Sequence, residues 1–154
     1  MTGLEHEYLE IKKLMEEASF FADKKSSDSE TKVGAVAKLR LRDNNLIIAR
    51  AANTFIANTG KIKLPSTRPD KYQYIIHAEQ NLIFQAAKMG LPMEGVTVVC
   101  TLSPCQSCIR ALWQAGVKRI WYKELYRAHN TEMLDLKVDT KLVYDLYLME
   151  IQDV

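Results

Sequence analysis

Two short motifs constrain this chain more than any other feature: His77-Ala78-Glu79, and Pro104-Cys105-Gln106-Ser107-Cys108, whose Cys105 follows Glu79 after 25 intervening residues. One imidazole and two thiolates suit zinc, and three protein ligands leave a fourth position for water, the arrangement of a catalytic site. A structural site takes a fourth protein ligand. His6, His129 and Cys100 offer donors, but none stands at paired spacing with the others. Residues i and i+2 lie about 200° apart around a helix, so His77 and Glu79 face one metal only if both lie in a first turn. Cys105 and Cys108 likewise open the next predicted helix. Two helix N-termini then converge on the metal, and their partial positive charges lower thiol pKa values. Glu79 is left beside the metal rather than on it, placed to pass a proton from water to a substrate. A Cys-x-x-Cys alone also serves redox chemistry, but here it lacks a preceding Trp-Gly. Three cysteines make a poor disulfide framework, which predicts a reducing, cytoplasmic setting.

The 154 residues fit one domain, 1–154, and 47% hydrophobic with 26% charged residues is an ordinary globular balance. Net charge +2 is too near neutral for a protein that coats a polynucleotide. Charged residues interrupt every apolar run, so no membrane span is expected, and Met1–Lys13 holds no apolar stretch like that of a secretory signal. Tyr8, Ile11, Leu14, Met15, Ala18, Phe21 and Ala22 form one face of a first helix. Val33–Leu41 and Leu46–Ala52 read as strands around a turn at Asp43-Asn44-Asn45, hence a hairpin. Ala78, Leu82, Ile83, Ala86 and Ala87 mark a second helix stopped by Gly90, and Val96–Leu102 a buried strand. Ser103, Pro104 and Gln106 read as cap, first turn and reciprocal capping partner of a third helix ending at Gly116, with Lys118–Lys123 a further strand. Asp70-x-x-Gln73 mimics a capping box, but extended chain over Tyr72–Ile75 suits the metal geometry better. Strand–helix alternation predicts an α/β fold, a three-layer α/β/α sandwich whose mixed central sheet is largely parallel. From Thr131 the pattern allows strand or helix.

These motifs carry a resemblance. His-x-Glu followed by Pro-Cys-x-x-Cys is the signature of zinc-dependent nucleobase deaminases, and the sequence resembles the cytidine and deoxycytidylate deaminase superfamily, most of all deoxycytidylate deaminases. Lys25-Ser-Ser-Asp-Ser-Glu-Thr-Lys-Val-Gly-Ala35, His77-Ala-Glu-Gln-Asn81, Thr101-Leu-Ser-Pro-Cys-Gln-Ser-Cys108 and Gln114-Ala-Gly-Val-Lys118 are the similar stretches. The resemblance implies a cytidine deaminase-like fold, Zn2+ on His77, Cys105 and Cys108, and Glu79 as proton shuttle. It implies pyrimidine contacts from Asn53 and the backbones of Ala78 and Ser103, with Lys25 and Ser26 near the substrate. The implied reaction is dCMP to dUMP plus ammonia, by zinc-bound hydroxide, in a homo-oligomer such as a hexamer. Mg2+ is implied only alongside a nucleotide effector. Lys25 stands where the family has Arg, and Ala51-Ala52-Asn53-Thr54 lacks the family's Tyr and both its Gly residues.

Other residues have plainer readings. Cys100 reads as a small buried residue, His6 as solvated, and Trp113 and Trp121 as packing. Lys61, Lys63, Arg68 and Lys71 make a basic loop, offered either to solvent or to phosphate, with His129 and Arg127 as further phosphate candidates. Rival readings keep the chemistry but change the substrate (dCTP, cytidine, guanine, a tRNA adenosine), or make the chain a zinc-stabilised binding module without activity. Glu79 speaks against the last, since a structural site has no use for it.

Overall fold

Alternation along the strands sorts the buried side chains onto two faces of one sheet. The computed structural model describes residues 2–42, 44–57, 59, 62–126 and 138–151. Helix α1 (Gly3–Lys25) precedes the hairpin β1 (Gly34–Leu41) and β2 (Asn44–Ala52). Next come the short strands β3 (Thr54–Phe55) and β4 (Ile75–Ile76), separated by a 3₁₀ turn at Asp70–Gln73. Helix α2 (Ala78–Met89), β5 (Thr97–Leu102), α3 (Gln106–Gln114) and β6 (Arg119–Glu124) follow, and β7 (Val138–Val143) and β8 (Leu146–Ile151) close the order.

The main sheet runs β2-β1-β5-β6-β8-β7. Val36, Val99, Trp121 and Leu148 stand in register across four strands and bury against Ile11, Met15 and Ala18 of α1. One residue along, Ala35, Cys100, Tyr122 and Tyr147 form the opposite row, which packs beneath Leu82 and Ala86 of α2 and Ile109 and Leu112 of α3. A slip of one residue would exchange the two rows, so register and layer assignment are one property. Full burial of such side chains contributes about 1.5–3 kcal/mol each. The three-layer sandwich and mixed sheet match the reading of the sequence.

Strand direction does not. Only β5 and β6 pair in parallel; the other four pairings of the sheet are antiparallel. A parallel pair needs a crossover connection, and α3 supplies one between β5 and β6, whereas both flanks of the sheet are hairpins. The second hairpin is the tail: Val143 pairs with Leu146 around Tyr144, whose φ of 55° turns the chain. Alternation from Leu142 to Leu148 thus spans two strands. Trp121 is buried and donates to Glu7, and Trp113 packs on the core, as expected of packing residues. Ala87 lies exposed on α2, outside the apolar face. Gly34 is held by contact: a Cβ there would lie 1.9 Å from the Ala18 carbonyl oxygen of α1. Among the described residues no helix is long and apolar enough to cross a membrane.

Candidate metal centre and active site

The residue before each of two helices is extended, and that places the donors. His77 (φ −63°, ψ 149°) is the N-cap of α2 and Cys105 (φ −74°, ψ 168°) that of α3, and neither uses its side chain as a cap. Both side chains therefore project off the helix ends, and Cys108, in the first turn of α3, joins them. His77 Nδ1 lies 3.2 Å from Cys108 Sγ and 3.5 Å from Cys105 Sγ, and all three donor atoms fall within 4.8 Å of one another. A tetrahedral zinc with ordinary bond lengths holds nitrogen and sulfur about 3.6 Å apart. The donor set fits zinc in both chemistry and spacing.

The two thiols hydrogen-bond each other. The hydrogen bond from Cys108 lowers the Cys105 thiol to about 3, with further help from His77 and Ser107, while Cys108 is pushed up by the same bond and by burial. Hydrogen bonding to Cys105 raises the His77 pKa. Glu79, second residue of α2, is only 4% exposed, and burial raises its carboxyl pKa. Cys100 is buried, as expected, but its thiol also hydrogen-bonds Glu79, a contact with no motif to announce it.

His77, Glu79 and Cys105 line a cavity of about 330 Å³, with Cys108 buried beside them, and its wall also includes Asn53, Ala78 and Ser103. Asn53 Oδ1 accepts from Ser26 Oγ (2.6 Å) and the Val33 N–H (3.0 Å), and its Nδ2 donates to the Thr31 carbonyl (2.8 Å). Backbone partners thus fix the amide's orientation and leave one N–H to offer. Ala78 opens α2, where helix N–H groups lack intrahelical partners. Ser103 is not the cap of α3: its N–H donates to the Glu124 carbonyl, and its Oγ accepts from the Tyr126 N–H, both at 2.8 Å. The residue before a proline is forced extended, so α3 starts two residues later than Pro104 suggests.

Lys25 is exposed at the end of α1 and does not line the cavity, and Ser26 reaches it only through Asn53. Lys71 lines the cavity, but Asp28 holds its ammonium at 2.8 and 3.0 Å, and Glu30 lies at 3.3 Å. Burial opposes ionisation of Asp28, yet hydrogen bonds from Lys71, Thr31 and Glu30 prevail and hold its carboxyl below the usual range. Lys71 is buried within the 3₁₀ turn, which replaces the extended chain expected from Tyr72; only Ile75–Ile76 is strand. Arg68 also lines the cavity, oriented by the Tyr72 hydroxyl (2.8 Å), Thr31 Oγ1 (3.1 Å) and Glu30 (3.5 Å). Lys63 does not line the cavity. Lys61, Arg127 and His129 lie outside the described residues, as does Asp43 of the expected turn. His6 is exposed.

The sequence profile of the cytidine and deoxycytidylate deaminase zinc-binding region matches residues 9–124. A probable deoxycytidylate deaminase of Drosophila melanogaster is 29% identical over 147 residues, covering 84% of this chain and 70% of that protein. ComE operon protein 2 of Bacillus subtilis is 43% identical over 54 residues, 35% of this chain and 29% of its own, so the match spans less than a third of that relative. The dCMP deaminase of cyanophage S-TIM5, solved in complex with dCMP and dUMP, superposes with a TM-score of 0.63 at 29% identity, covering 84% of this chain and 88% of that one. The chain belongs to the cytidine and deoxycytidylate deaminase zinc-binding family.

Proposed function

We propose that within this family the chain hydrolytically deaminates the cytosine of a deoxynucleotide, dCMP to dUMP plus ammonia, with His77, Cys105 and Cys108 as zinc ligands. The observation that carries this reading is a cluster of three metal donors with a buried carboxylic acid beside it, of which His77, Cys105 and Glu79 line one cavity. The relative solved with dCMP and dUMP supports the substrate class. Bound at the three donors, zinc supplies the Lewis acidity that makes water a nucleophile near neutral pH.

The chain's own groups do the rest. Glu79 takes a proton from the attacking water as the new bond to C4 forms, and delivers it to N3. The second water proton reaches the amino group through the same carboxyl, the C4–N bond breaks, and ammonia leaves with a carbonyl in its place. Burial of Glu79 suits both duties, because a raised pKa lets the carboxyl carry a proton between steps. The spare Asn53 N–H, the Ala78 N–H and the Ser103 backbone hold the nucleotide.

Arg68, which lines the cavity, takes the place expected of Lys25 as the phosphate contact. Three of its five donors are engaged, while the Lys71 charge is met by two carboxylates. Turnover of cytidine, CMP, deoxycytidine, dCMP, dCTP, guanine and adenosine by the metal-loaded protein tests the reading. Release of ammonia from dCMP in preference to the others is expected. Equal kcat/KM for deoxycytidine and dCMP removes the phosphate assignment, and no turnover of any cytosine compound removes the reading.

A further inference from the structure

Asn53 and His77 belong to segments far apart in the chain, and the side-chain hydrogen bonds of each go to residues outside the other's segment. Two hydrogen-bonded links join the segments. The β3–β4 ladder pairs Thr54 with Ile76, the immediate neighbours of Asn53 and His77. Asn81 makes the other link. It sits one turn into α2 with its N–H donating to the His77 carbonyl (3.0 Å), so it moves with the metal donor. Its Nδ2 donates to the Ala52 carbonyl and to Thr54 Oγ1, each at 2.9 Å. Those are the two residues that flank Asn53.

We propose that Asn81 is a positioning residue, whose amide fixes Asn53 against the His77–Glu79 turn and so sets how the nucleotide is presented to the reacting atoms. This rests on the reading that Asn53 contacts the substrate. The residue type follows from the geometry. One amide nitrogen carries two donors in a plane and spans two acceptors on either side of a single residue. Aspartate would turn two donors into acceptors facing the Ala52 carbonyl, and leucine would offer neither. Glutamine carries the same amide one methylene too far. Small displacements of a contact group cost large factors in rate, so the bridge acts on turnover through Asn53.

A double-mutant cycle on the metal-loaded protein tests this, read by kcat/KM for dCMP and by calorimetric titration with dUMP. Asn53→Ala and Asn81→Ala should each weaken both by about tenfold or more, with metal content unchanged. The double variant should be no worse than Asn53→Ala alone, because Asn81 has nothing left to position. Thr54→Val should lower kcat/KM by about threefold, and Thr54→Ser, which keeps the hydroxyl, should restore it. Additive losses in the double variant, loss of metal on Asn81→Ala, or equal effects of Thr54→Val and Thr54→Ser would overturn the role while leaving the deaminase reading intact. If Asn53→Ala changes neither measurement, the substrate contact and the inference fall together.

Discussion

The metal donors and the charged residues around Lys71 follow opposite electrostatic plans. Among the donors, two thiols and an imidazole crowd within hydrogen-bond distance of one another, drawn there by helix ends that forgo a side-chain cap. Around Lys71, the cation is matched by carboxylates, and Arg68 is tethered on three sides. The first group gathers donors that want a metal. The second balances its charges internally and leaves the Arg68 guanidinium partly free. On the proposed function, chemistry rests on the first group and selectivity on the second.

The contrast is broken most completely at Cys105. Cys105→Ala should drop metal content well below one ion per chain and abolish turnover, because two donors hold zinc poorly; elemental analysis and a thermal melt check it. Glu79→Gln should leave metal content and fold intact and slow turnover by about 10²–10⁴. Retention of more than about a tenth of the rate would reassign the proton transfers. At Arg68 the effect is smaller and selective. Arg68→Gln should reduce kcat/KM for dCMP by about tenfold, since a charge-assisted phosphate contact is worth about 1.5–3 kcal/mol. Deoxycytidine should be unaffected, and Lys25→Gln should change neither substrate.

The smallest effect on turnover lies at Asp28, where pH is the probe. A carboxyl held below its ordinary pKa contributes stability that is fully present above the unfolded value, near 3.9, and is lost as pH falls through the lower folded value. The Tm gap between wild type and Asp28→Asn should stay level above about pH 5 and close on further acidification. A gap that persists undiminished at pH 2 would mean that the ion pair is not its source.

Legibility in the sequence followed the same division. The donors and Glu79 sit at the N-caps and first turns of two helices, where helix geometry dictates direction, so the donor cluster could be read from residue intervals alone. The surroundings of Lys71 and Arg68 could not. Asp28 meets Lys71 43 residues away, and a basic loop looks identical whether its lysines face solvent or carboxylates. Sheet direction escaped for a related reason. Strand periodicity reports which face is buried and is silent on polarity, which the connections decide: α3 between β5 and β6, a tight turn between β7 and β8. At Ser103 a local rule misled, because the proline that suits a first helical position also holds its predecessor extended, and Ser103 went to Tyr126 instead.

Gly34 carries a consequence for how variation in this chain will be scored. Helix α1 rests there through the Ala18 carbonyl, with only the Ala22 Cβ beside it, so nothing flexible absorbs an added atom. Any larger residue must lift α1, and the residue that follows α1 is Ser26, whose hydroxyl holds Asn53, while Val33, just before Gly34, holds it from the other side. A mutational screen read by catalysis alone will rank Gly34 among the active-site positions, although it lies outside the cavity wall and touches no reacting group.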